Sequence, residues 1–78
     1  MQAKDLLVYL VENLVEHKED VNVDVQEDER LINLTLSVNP ADMGKVIGRR
    51  GRIANSIRTI LKAANFGTTK NVNLEIVD

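Results

Sequence analysis

Cysteine and tryptophan are absent from this chain, aromatic residues make up 3% of it, proline occurs once and glycine four times. Without thiols there is no disulfide framework, no thiolate nucleophile and no cysteine-based zinc site, which fits a reducing cytosol. Long apolar runs are also missing. The longest, "LLVYLV" at residues 6 to 11, is too short to span a bilayer, and the opening "MQAKD" lacks the basic start and small-residue cleavage site of a signal peptide. No membrane insertion is expected. Histidine occurs once, as His17, with no partner cluster; it reads as a helix-end residue rather than a metal ligand. Glu12 and Glu16 share a helix face but read as solvation. No acid, base and nucleophile set can be assembled, so neither an enzyme nor a bound metal or cofactor is expected.

What remains is an ordered globular chain. Its 78 residues, 44% hydrophobic and 28% charged, allow one domain over residues 1–78, near the lower limit for a single core. The net charge of −2 argues against nucleic acid until its distribution is considered. From Met1 to Arg30 there are nine acidic residues against three basic ones; from Met43 to Leu74 there are seven basic residues and no acidic one. Opposite charge occupies opposite ends of the chain.

Apolar spacing gives the elements. "AKDLLVYLVENLVEHKED" predicts a helix of about four turns, with Ala3, Leu6, Leu7, Leu10 and Leu14 inward and His17 and Lys18 in its last turn. "VNVDVQ" alternates strictly, with Val21, Val23 and Val25 on one face. "INLTLSV" does the same with Ile32, Leu34, Leu36 and Val38, and "VNLEI" with Val72, Leu74 and Ile76. "EDER" reads as a hairpin turn that lacks the usual glycine. The outward strand positions are polar, so one sheet face is wet and the helices pack on the other. Asn39 is a suitable N-cap and Pro40 a first helical residue, with Asp42 adding negative charge at the amino end. A short helix from Pro40 to Val46 follows. A longer one begins near Gly51, with Ile53, Ile57, Ile60, Leu61 and Ala64 as its apolar stripe and Arg52, Asn55, Thr59 and Lys62 facing away. Gly67 reads as a helix cap or turn residue.

Between those two helices stands "VIGRRGRI". Two glycines with a two-residue gap let the backbone turn sharply and approach a ligand, and the opening amides of the next helix favour an anion. Alone, such a pair fits an ordinary interhelical turn. A dinucleotide fingerprint fails because Val46 stands where its first glycine belongs, and a phosphate loop fails because Arg49 follows Gly48. With its flanks, however, "GKVIGRRGRIANSIRTIL" resembles the GxxG signature of the KH domain in its bacterial type II arrangement. The resemblance covers nearly the whole chain and is to the small single-KH RNA-binding proteins of bacteria, the KhpA or YlqC-like family.

That resemblance implies an α+β fold of order α-β-β-α-α-β, a three-stranded sheet with helices packed on one face. It implies that Gly48, Arg49, Arg50 and Gly51 clamp the backbone of single-stranded RNA while Lys45, Val46, Ile47, Arg52 and Ile53 flank or line a groove for bases. The second strand, around Leu34 to Leu36, would supply the groove's far wall. It further implies a cytosolic RNA chaperone or post-transcriptional regulator, a homodimer, and a complex with a larger KH-containing protein (KhpB or Jag-like) linked to cell elongation and division. Ile60, Ala64 and Phe66 are candidate dimer contacts. The scarcity of aromatics removes the stacking platforms of RRM, cold-shock and most OB-type binders, whereas a KH groove works with aliphatic walls; Tyr9 and Phe66 then read as core or edge packing. Arg58 and Lys62 fit a solvated helix face as well as a ligand contact, and Lys70 reads as solvation. The second functional reading is a protein adaptor that keeps the KH shape without RNA contact.

Overall fold

Ile32, Leu34, Leu36 and Val38 alternate with polar residues and turn their apolar face to the core, and the strand that carries the first three has a neighbour on each side and so lies at the centre of the sheet. The computed structural model describes residues 1–64 and 66–77. In it α1 (Ala3–Glu12) leads into β1 (Asn22–Glu27) and β2 (Leu31–Ser37), followed by α2 (Met43–Ile47), α3 (Arg52–Ala63) and β3 (Asn71–Val77). The sheet order is β1-β2-β3, with β1 antiparallel and β3 parallel to β2. A parallel neighbour requires a crossover. Residues 38–70 provide it, and they carry the two helices with the glycine turn between them.

Register follows the apolar pattern. Leu34 pairs with Val25 on one side and Leu74 on the other, and Leu36 with Val23 and Ile76. The inward side chains of β2 meet Leu7 and Val11 of α1, Val46 of α2, and Ile57 and Leu61 of α3 in one core. Leu7, Leu34 and Leu36 are completely buried. Truncating Leu34 to alanine would cost about 2–5 kcal/mol. On the wet face Asn33 and Asn73 face each other, and the Asn73 Nδ2 donates to Asn33 Oδ1 at 2.6 Å.

Several local expectations change. The first helix stops at Glu12, not near Asp20, and buries Ala3, Leu7 and Val11 rather than a face reaching Leu14, which is exposed. Beyond it, the amides of Glu16 and His17 donate to the Asp42 carboxylate instead of continuing the helix. A single 3-10 turn then spans Lys18–Asp20. Val25 and Tyr9 are exposed, whereas Phe66 packs against the core. The hairpin turn does without glycine because the Asp28 Oδ1 accepts from the amides of Arg30 and Leu31, both at 2.8 Å. Asn39 does cap: its Oδ1 accepts from the Ala41 amide at 2.8 Å, and Pro40–Asp42 form a 3-10 turn ahead of α2. Gly67 lies in the turn after α3 with φ +73°.

Candidate nucleic-acid interface

The turn between α2 and α3 is built from three left-handed residues. Gly48 ends α2, its amide donating to the Gly44 carbonyl at 2.9 Å, and holds φ 74°, ψ 177°, a region almost exclusive to glycine. A Cβ there would lie 2.6 Å from Ile53 Cγ1, so the missing side chain also lets the backbone fold over Ile53. Arg50 (φ 57°, ψ 26°) and Gly51 (φ 72°, ψ 18°) follow within one 3-10 turn, closed by the Gly51 amide on the Gly48 carbonyl at 3.2 Å. For an arginine this conformation costs about 1–2 kcal/mol.

Charge at this tip is uncommitted. Arg49, Arg50 and Arg52 are exposed, and among the described residues no side chain partners any of their guanidiniums. The amides of Arg49 and Arg50 likewise have no acceptor among the described residues. Free donors, three guanidiniums and the positive end of α3 therefore converge on one small surface. Ile47 and Ile53 stand beside it, half-buried. Val46 differs from the sequence expectation. It is fully buried, facing the core from α2, and so anchors the helix rather than lining an open groove.

Lys45 is engaged elsewhere. Its Nζ lies 2.9 Å from Glu16 Oε1 and 3.5 Å from Asp42 Oδ1, and the Glu16 pairing holds the ammonium above the usual lysine range. Asp42 itself is fully buried, which pushes its carboxyl up. Donation from the His17 amide at 3.0 Å, the His17 ring at 2.9 Å and the Glu16 amide at 3.2 Å outweighs that and brings it to about 2. Because the carboxylate only accepts, the His17 Nδ1 carries the proton it shares. That hydrogen bond raises the imidazole above 6.5. Glu16 and His17, read from sequence as solvation and helix end, thus join Asp42 in a latch tying the segment after α1 to the start of α2. The sequence signal was an aspartate beside a proline N-terminus, which also fits an exposed cap.

The far wall is corrected as well. β2 is the central strand and its Leu34 and Leu36 have no exposed surface, so it cannot wall an open groove. The strand beside α3 is β3. Arg58 bridges them, its Nε and Nη2 donating to the Leu74 carbonyl at 3.4 and 3.3 Å and its Nη1 to Asn55 Oδ1 at 3.2 Å. Lys70 pairs with Glu27. The three dimer candidates do not share one depression. Ile60 lines an apolar groove of about 380 Å³ between α1 and α3, with Leu10, Leu14 and Ile53, whereas Ala64 and Phe66 line a separate cavity of about 740 Å³ where α3 leads into β3.

A family model described as the KH domain of KhpA/KhpB matches residues 4–76, which include the turn, both of its helices, β1, β2 and all but the last residue of β3. The chain belongs to the KhpA/KhpB KH-domain family. The chain is 45% identical over 75 residues to the RNA-binding protein KhpA of Bacillus subtilis, covering 96% of this chain and 93% of that one. Against the RNA-binding protein KhpA of Clostridium perfringens it is 47% identical over 74 residues, covering 95% and 99%. The corresponding protein of Borreliella burgdorferi is 45% identical over 74 residues, covering 95% and 90%. The KhpA/KhpB family is one of KH domains, not of enzymes. No solved structure matches the chain. Among the described residues no helix is long and apolar enough to cross a membrane, and no group of side chains could hold a metal ion.

Proposed function

We propose that this chain is a single-stranded RNA-binding protein, one KH unit that clamps the RNA backbone with the turn Gly48-Arg49-Arg50-Gly51. The observation that carries the reading is the set of guanidiniums of Arg49, Arg50 and Arg52, unpartnered among the described residues, around backbone amides that likewise have no acceptor among them. Its similarity to proteins named RNA-binding protein KhpA supports it. Arg52 adds charge at the start of α3, and Ile47 and Ile53 offer apolar contact to bases. Lys45 contributes charge only where phosphate displaces Glu16, and Val46 acts from behind.

Fluorescence polarisation of a labelled single-stranded RNA tests this. The wild type should bind, and an Arg49→Asp, Arg50→Asp double variant, checked for folding by its melting curve, should lose about a hundredfold or more in affinity. Equal binding by both would move RNA contact elsewhere. No binding by either, with or without a partner, would favour the adaptor reading.

A clamp on about four nucleotides gives modest affinity. A second copy or a second RNA-binding chain raises it by avidity. The reading therefore extends to a homodimer and to a complex with a larger KH-containing protein, KhpB or Jag-like, acting in the cytosol in RNA regulation linked to cell elongation and division. Within the dimer, Ile60 on the α1–α3 groove is the first contact to test. Ile60→Glu should convert a sedimenting dimer to a monomer; a wild type that is monomeric at every concentration would remove this part.

A further inference from the structure

Below the turn, α3 carries a line of polar groups that backbone clamping does not use. Asn55, Arg58 and Lys62 fall at spacings of three and four, which is one stripe of a helix. The stripe faces β3, as the bonds from Arg58 to the Leu74 carbonyl show, and it ends at the cavity lined by Lys62, Phe66 and Thr68. RNA held at the turn and following α3 meets Asn55 and then Arg58.

Arg58 is half-buried and fixed. Of the five N–H groups of a guanidinium, the Leu74 carbonyl takes one from Nε and one from Nη2, and Asn55 takes one from Nη1. One N–H remains on each of the two terminal nitrogens. Their positions are set by the backbone of β3 and by Asn55, so little freedom is lost when they bind. With Asn55 accepting the Nη1 hydrogen on the Cδ side, the two that remain lie parallel on the outer edge of the plane, and two neighbouring donors select two neighbouring acceptors. Guanine offers O6 and N7, and an unpaired cytosine offers O2 and N3; adenine alternates acceptor with donor on both its edges, and in uracil an N–H separates the two oxygens.

Resting on the RNA-binding reading above, we propose that Arg58 is the specificity-determining residue of this surface, and that it favours guanine or cytosine over adenine and uracil. The test compares a labelled oligouridylate with derivatives carrying guanosine, cytidine or adenosine at a central position. Wild type should bind the guanosine or the cytidine derivative about tenfold more tightly than the other two, and which of them gains identifies the base edge. In Arg58→Gln and Arg58→Lys that ratio should fall toward one. The lysine variant keeps the charge without the fork, so its loss of ratio assigns the effect to geometry, and it serves alone if the glutamine variant does not fold. A purely structural role for Arg58 would weaken all oligonucleotides together and leave the ratio as in the wild type, which overturns the proposal. Equal wild-type affinity for all of them also overturns it while leaving the turn as a clamp. Failure of the wild type to bind any of them is instead the failure of the RNA-binding reading.

Discussion

Lys45 and Arg49 stand four residues apart and carry the same formal charge, yet they belong to different kinds of structure. Lys45 sits in the latch, paired with Glu16 beside a buried Asp42 whose carboxylate accepts from two amides and an imidazole. Arg49 sits in the turn, exposed, with neither its side chain nor its amide partnered among the described residues. The same division separates Lys70, bound to Glu27, from Arg50 and Arg52. A basic segment is thus not a basic surface. Charge that is satisfied internally holds the fold, and charge left over is what a polyanion can neutralise.

The strongest way to break this comparison is to count the charge that RNA neutralises. If only the three free arginines contribute, the logarithmic salt slope for a single strand should be about −2; inclusion of Lys45 would bring it near −3. Next, Asp42→Ala should lower the melting temperature more than any substitution of Arg49, Arg50 or Arg52, because it leaves two amides and an imidazole without their acceptor. If the arginine variants melt lower, the division between latch and turn is wrong.

Within the turn, Gly48→Ala should cost about 1–3 kcal/mol from its backbone conformation alone and displace Ile53, as denaturant titration would show. Gly51→Asn should cost less, since that position is αL and a Cβ there would meet only Asn55 Nδ2, at 4.0 Å. Arg50→Gly should move the other way, gaining up to about 1 kcal/mol of stability by relieving the left-handed arginine while weakening RNA binding.

The smallest effect is that of pH on the latch. His17 is raised above 6.5 in the folded chain, so its contribution is full below 6.5 and is lost as pH rises through its higher folded value. Asp42 is depressed from 3.8 to about 2, so its contribution is present above 3.8 and is lost as pH falls toward 2. Melting curves should therefore show a shallow decline on the alkaline side that His17→Gln removes.

Much of this was legible in the sequence for a physical reason: period-two alternation in the strands and the stripe of α3 are local, repeated signals. The order of elements and the inward residues of β2 followed from them, while the Asn39 cap was read from its neighbour Pro40 and the turn from its two glycines. Partnerships between distant residues left no such trace. Nothing local distinguishes the Asp42 carboxylate that reaches Glu16 and His17 from a helix-cap aspartate, or tells that Arg58 meets a carbonyl of β3. The end of α1 was misplaced for the same reason, since its periodicity runs on through Leu14 while a remote side chain takes its next amides. The groove wall on β2 came with the family resemblance; which strand lies beside α3 depends on a parallel pairing across the long crossover.

That parallel pairing also sets a timetable. As the chain is synthesised, α1 and the β1–β2 hairpin can assemble from neighbouring segments, and the turn with its arginines follows. Arg58 cannot be fixed until β3, made after β1 and β2, docks along β2 and presents the Leu74 carbonyl. On the RNA-binding reading proposed above, a nascent chain would expose its positive turn before it could hold the guanidinium that α3 sets against β3, so the ability to grip a polyanion would precede the ability to choose one.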